Sequence, residues 1–197
     1  VNLLVGARIH IPAEGVKITT PSVSEESSTV EIAATVKNLL RNKEKVTVET
    51  VISHDGEVVG KDVVGVTMYG EAEETVRQTI CLEKARLWST DDPFLYECVV
   101  TVYAGEEKLD ETHETFGIRK LELDAEHGLR INGKQVKLRG TCIHHDNGII
   151  GATTLEKAEE RRCRQMKEAG FNSIRSAHHP MSKAMLDACD KYGILVM

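Results

Sequence analysis

Two adjacent histidine pairs occur in this chain, His144-His145-Asp146 and His178-His179-Pro180, the second preceded by Arg175. Imidazoles and a carboxylate converging on one face could ligate zinc or iron. Alternatively, the guanidinium would hold a neighbouring carboxylate in its ionised form while the histidines hydrogen-bond a polar ligand. A third reading is structural, with partly buried histidines that satisfy loop backbone around them. Spacing gives the metal little support: there is no His-x-His, no His-Glu-x-x-His and no second carboxylate cluster. Adjacent side chains on an extended segment also point to opposite faces.

The segments that must position these groups read as a parallel arrangement. Phe171 to Ile174 is a short apolar strand that ends in Arg175 and the second histidine pair, and Arg139 to His144 is a strand that ends in the first. Between them, Thr153-x-x-Glu156 forms a capping box, and Leu155, Ala158, Cys163, Met166 and Ala169 recur at helical spacing until Gly170. A second helix is capped by Ser182, lines one face with Met185, Leu186, Cys189 and Tyr192, and ends at Gly193 before a buried strand Ile194 to Met197. Strands alternating with helices give βαβ units, whose ligands sit at the C-terminal strand ends, so both histidine pairs are expected on one rim. Glu156, Glu159, Glu160 and Glu168 share their helix with many Lys and Arg residues and read as a solvated face. Arg139 reads as a packing residue rather than a site residue.

Upstream the hydrophobic period is two. Thr29 to Lys37, Lys45 to Ser53, Glu74 to Leu82, Tyr96 to Tyr103 and Lys108 to Ile118 alternate, with Asp55-Gly56 and Ala104-Gly105 as hairpin turns. This predicts an antiparallel immunoglobulin-like sandwich of roughly seven strands, although Trp88 lies between Cys81 and Cys98 without antibody-type spacing. Residues 1–20 are too few for a domain and read as the tail of a preceding domain or a linker. The expected organisation is therefore 1–20 tail, 21–120 sandwich and 121–197 the start of a barrel, opened by a hairpin at Asn132-Gly133.

Composition narrows the function classes. Net charge is -6 and no Lys/Arg cluster is interleaved with aromatics, which argues against nucleic acid as a partner. No apolar run is long enough to suggest a membrane span. The five cysteines lack a Cys-x-x-Cys pair and fall mostly on apolar faces, favouring free thiols and a reducing compartment. At 197 residues the chain is shorter than a (β/α)8 barrel of about 250 residues, so its ends read as boundaries inside a larger protein.

Asn172-Ser-Ile-Arg175-Ser-Ala-His178-His179-Pro180, followed by Asp190-Lys-Tyr-Gly193-Ile-Leu-Val-Met197, resembles the first signature of glycoside hydrolase family 2. Arg139-Gly-Thr-Cys-Ile-His144 resembles the Arg-Gly-x-x-x-His element of the same family, and Trp88-Ser-Thr-Asp-Asp-Pro93-Phe-Leu-Tyr96 resembles a segment of its sandwich domain. The resemblance implies an all-β immunoglobulin-like sandwich followed by an incomplete α/β (TIM) barrel. It also implies retaining hydrolysis of terminal β-glycosides, β-galactosides foremost, with no cofactor and no metal. By that match His144 and His178 would hydrogen-bond the sugar, His145 and Asp146 would shape the same wall, and Arg175 would support the catalytic carboxylate. The acid/base and nucleophile, glutamates in the family, match nothing here and are expected beyond Met197. Two other classes stay open, a carbohydrate-binding or interaction module and a metal-dependent hydrolase. A third of a barrel would expose Ile174, Leu195 and Val196, so the expected partners are a carbohydrate substrate and another copy of the chain, by homo-oligomer formation or self-association.

Overall fold

Eight strands build the first unit: Ile9–His10 (β1), Val16–Val23 (β2), Ser27–Asn38 (β3), Glu44–His54 (β4), Glu57–Met68 (β5), Glu73–Glu83 (β6), Tyr96–Ala104 (β7) and Glu107–Phe116 (β8). They are seen in a computed structural model that describes residues 5–197. Period-two alternation decides their packing. Val30, Ile32, Ala34 and Val36 of β3 turn inward, as do Val46, Val48 and Ile52 of β4 and Cys98, Val100 and Val102 of β7, and all are buried. One sheet has β3 at its centre with β6 on one side and β1 and β2 on the other; the second sheet runs β5-β4-β7-β8. A buried polar pair joins them: the Thr50 hydroxyl donates to Gln78 Oε1 at 2.6 Å, and Gln78 Nε2 donates to the Val48 carbonyl at 3.4 Å. Each satisfies the other, which removes the cost of burying either alone.

Several sequence expectations shift here. From Ile9 onward the segment expected as a tail or linker pairs with β3, because Ile9 and Ile11 belong to the buried core; residues 1–4 of that segment lie outside the described residues. β5 has no counterpart among the alternating segments of the sequence. It is an edge strand whose Val58, Val59 and Val63 are exposed, so no clean alternation marks it. Gly60 is required on it, since a Cβ there would lie 2.6 Å from Ile80. The Asp55-Gly56 turn forms with both residues at positive φ. In the second hairpin Ala104 still pairs with Glu107, so the turn is Gly105-Glu106, one residue later than expected.

The second unit comprises residues 86–95 and 117–197. Leu121–Asp124 (β9), Gly128–Ile131 (β10) and Lys134–Gln135 (β11) form an antiparallel meander, closed at Asn132-Gly133 by two residues at positive φ. Gly140–Ile143 (β12), Ser173–Ser176 (β13) and Leu195–Val196 (β14) follow as a parallel sheet in that order. The crossovers carry Glu156–Glu168 (α1) and Lys183–Tyr192 (α2). Cys163, Ile174, Met185, Ala188, Cys189 and Ile194 form the core between helices and sheet. Ile174 is fully buried and Leu195 and Val196 are half-buried, because the two helices cover the face that a bare sheet would expose. All five cysteines are free, with Cys98, Cys163 and Cys189 buried and Cys81 and Cys142 exposed.

The helix ends differ from each other. Ser182 caps α2 as expected, its hydroxyl accepting from the Met185 N–H at 3.2 Å, and Gly193 closes it at φ 70°. The Thr153 capping box does not form: α1 begins two residues later than a Thr153 cap requires, and its N-cap is Leu155, which offers no side-chain acceptor. Leu155 already has the extended backbone of a cap residue and is exposed. Leu155→Asp is therefore expected to stabilise the second unit by about 1 kcal/mol, read as a raised melting temperature in thermal denaturation. An unchanged or lowered melting temperature would show that α1's first turn is already satisfied. Leu186, assigned to the apolar face of α2 by spacing, is exposed.

Candidate functional site

β12 and β13 are neighbours in parallel register, Cys142 opposite Arg175 and Ile143 opposite Ser176. Their C-terminal ends are tied where the Ala177 N–H donates to the Ile143 carbonyl at 3.0 Å. This brings both histidine pairs together at one end of the sheet. The rings of His144 and His178 lie 5.6 Å apart between centroids, and those of His145 and His179 lie 3.9 Å apart at 61°. The outer pair, His144 and His178, is exposed, and His145 and His179 are half-buried.

Arg175 follows Ile174, which is in the core, so on an extended strand it points to the sheet face away from the helices. It is exposed, and its Nη1 donates to the Cys142 sulfur at 3.8 Å. Asp146 turns toward its own loop. Its Oδ1 accepts from the Gly148 N–H at 3.0 Å, and its own N–H donates to the His144 carbonyl at 2.8 Å. That turn leads into a single 3-10 turn at Gly148–Ile150 and fixes the rim next to His144.

Two supports were not legible from motif matching. Glu159, assigned to a solvated face, is only 1% exposed; it accepts from Asn147 Nδ2 at 3.0 Å and from Arg162 Nη1 at 3.4 Å. Arg162 Nη2 in turn donates to the His144 carbonyl at 2.8 Å. The helix thereby holds the loop that carries the first histidine pair. The signal was present in the spacing, because Glu159, Cys163 and Met166 stand at i, i+4 and i+7 on one face. His179 is the other. Its pKa is lowered by burial first and then by the neighbouring imidazoles of His145, His144 and His178.

The opposite end of the sheet is structural. The Arg139 N–H donates to Asn172 Oδ1 at 2.7 Å, Asn172 Nδ2 donates to the Lys137 carbonyl at 3.0 Å, and Arg139 Nε donates to the Gly170 carbonyl at 3.1 Å. Asn172, the first residue of the signature, therefore fixes where β12 starts, and the exposed Arg139 ties that end to the Gly170 carbonyl.

The comparisons with known proteins agree with one another. The family model of glycosyl hydrolases family 2 matches residues 9–119, and that of the family 2 TIM barrel domain matches residues 122–197. A β-galactosidase of Bacteroides ovatus, BoGH2A, is 38% identical over 96% of this chain, which spans 22% of that protein. Among solved structures, a family 2 member from Bacteroides cellulosilyticus superposes with a TM-score of 0.92 at 36% identity, covering 96% of this chain and 26% of that one. Bacteroides uniformis β-glucuronidase superposes with a TM-score of 0.90 at 30% identity over 97% of this chain and 24% of its own. The chain thus spans about a quarter of the relatives it matches, and it has their immunoglobulin-like domain and the start of their TIM barrel. The matched residues contain both histidine pairs, Arg175 and the strands that carry them: the chain belongs to glycosyl hydrolases family 2.

Proposed function

We propose that these residues form one wall of the sugar site in a retaining glycoside hydrolase acting on terminal β-galactosides. The observation that supports this most is the placing of His144 and His178, rings 5.6 Å apart, on the ends of adjacent parallel strands beside an unpaired guanidinium. Two exposed imidazoles at that separation can each hydrogen-bond a different hydroxyl of one sugar ring. Bonds that strengthen as the ring flattens toward an oxocarbenium ion lower the barrier rather than only tightening binding. Arg175 would keep the catalytic carboxylate ionised, and His145 and Asp146 would shape the wall. The acid/base and the nucleophile, carboxylates about 5–5.5 Å apart in retaining enzymes, would come from outside these residues. β-Galactosides are favoured by the 38% identity to BoGH2A. β-Glucuronides are the second reading, favoured by the 30% identity to the Bacteroides uniformis β-glucuronidase.

A panel of p-nitrophenyl β-glycosides separates these readings. The full-length enzyme is expected to hydrolyse the β-galactoside fastest, and residues 1–197 alone are expected to hydrolyse none. Preference for the glucuronide would select the second reading. Turnover by residues 1–197 alone would overturn the division of the site proposed here.

A further inference from the structure

His145 and His179 are the less exposed members of the two pairs, and their contact is unusual for imidazoles. The rings meet edge to face with centroids 3.9 Å apart, and the Nε2 atoms of both are buried with no hydrogen-bond partner. Leaving a buried polar nitrogen unsatisfied costs about 1–3 kcal/mol, and the centroids are closer than the roughly 4.5–7 Å at which ring pairs are favourable. Two such nitrogens at one spot are thus a net cost to folding. Costs of this kind persist where the surrounding structure holds the groups for another purpose.

The backbone around them shows what is being held. His178 has φ 70°, a left-handed conformation that a non-glycine residue adopts at a cost of about 1–3 kcal/mol. Ser176 Oγ donates to the His179 carbonyl and the Ala177 N–H donates to the Ile143 carbonyl, so the strained turn is tied from the backbone side. From the side-chain side, two ring contacts span the strand ends at this turn, and the one between His145 and His179, at 3.9 Å, is closer than the one between His144 and His178, at 5.6 Å. Each ring of the closer pair is one residue from an exposed histidine, so fixing it fixes the backbone from which His144 or His178 projects.

We propose that His145 and His179 act as an imidazole pair whose close ring contact positions His144 and His178 on the rim. Both are positioning residues, and the consequence for turnover rests on the glycosidase reading above. A charged His179 ring would bury an imidazolium whose Nε2 has no acceptor. Burial lowers the pKa of His179, with His145, His144 and His178 adding to the shift. The neutral form is therefore favoured in the folded state. The contribution of His179 is present above the ordinary histidine value of about 6.5 and is lost as pH falls through its lowered one.

The test combines imidazole 1H–15N NMR on this chain with kinetics on the full-length enzyme. His179 is expected to titrate below the ordinary histidine value of about 6.5. His179→Ala should move the His144 and His178 resonances and lower kcat/KM by about 10²-fold, mostly in kcat, as for a small misplacement of reacting groups. His179→Phe keeps the ring contact without a titrating group; it should restore both the resonances and most of the rate, and abolish their coupled movement at acid pH. Unmoved His144 and His178 resonances in His179→Ala, or a His179→Phe variant as impaired as the alanine one, would overturn the proposal. Because the NMR readout needs no turnover, moved resonances in a catalytically silent full-length protein would support the pair while rejecting the glycosidase reading.

Discussion

Arg175→Ala in the full-length enzyme is expected to lower kcat/KM by about 10²–10³-fold, the loss typical when one preorganised electrostatic group leaves a reacting centre. The side chain projects from β13 on the face opposite the buried Ile174, and its Nη1 reaches a thiol, that of Cys142, at 3.8 Å. No carboxylate among the described residues pairs with it, so its charge is free for an acid brought by another part of the protein. The predicted signature is in the pH profile. A guanidinium lowers the pKa of an adjacent carboxylate, so removing it raises that pKa and moves the acid limb of kcat/KM to higher pH. Arg175→Lys keeps the charge and loses the fork, and should fall between the two. If Arg175→Ala shows normal rates with an unshifted acid limb, the guanidinium does not support a catalytic group, and the site assignment must move elsewhere on the rim.

What was legible in the sequence follows from which interactions are local. The hairpin at Asn132-Gly133, the Ser182 cap and the Gly193 stop depend on a few consecutive residues, and each formed where spacing placed it. The alternation of β3, β4 and β7 is equally local, since one face of each strand is buried throughout. Placing Arg175 and the histidine pairs together needed only the inference that two short apolar segments are neighbouring parallel strands, which the register of β12 and β13 bears out. Illegible features depend on partners distant in sequence. β5 is an edge strand shaped by its neighbour's side chains at Gly60, β1 and β2 are recruited by β3, and Glu159 is buried because a loop asparagine and an arginine meet it. The ring contact of His145 with His179 has no motif at all, because adjacent histidines give no sign of which one turns inward.

The segment around Trp88 carries the largest expected effect on stability. Sequence placed it with the sandwich, yet residues 86–95 belong to the second unit, and Trp88 is 0% exposed there. Its Nε1 donates to the Asp190 carbonyl at 2.7 Å, its N–H donates to the Ile118 carbonyl at 2.8 Å, and its own carbonyl accepts from Asn132 Nδ2 at 2.9 Å. The Arg119 guanidinium lies 4.4 Å from the ring centroid and pairs with Asp190 at 3.5 Å. Gly117 is required beside it, since a Cβ there would lie 2.6 Å from the Trp88 side chain. One residue thus joins the end of α2, the β10 turn and the start of the barrel segment, with its side chain reaching α2. Trp88→Ala is expected to destabilise the second unit by about 3–5 kcal/mol, a large share of the ~5–15 kcal/mol that holds a domain together. Trp88→Phe keeps most of the buried ring and loses the bond to Asp190, for about 1–2 kcal/mol. Calorimetry should show one transition moving down in Trp88→Ala while the sandwich transition stays in place. Trp88 is the sole tryptophan, so in the unaltered protein its fluorescence reports the second unit separately from far-UV circular dichroism, which sees both. A Trp88→Ala variant that melts with both transitions unchanged would mean that the barrel segment holds together without this strap. A downward shift of the barrel transition alone would mean that residues 86–95 are part of its folding unit, and that a fragment starting at Gly117 will not fold.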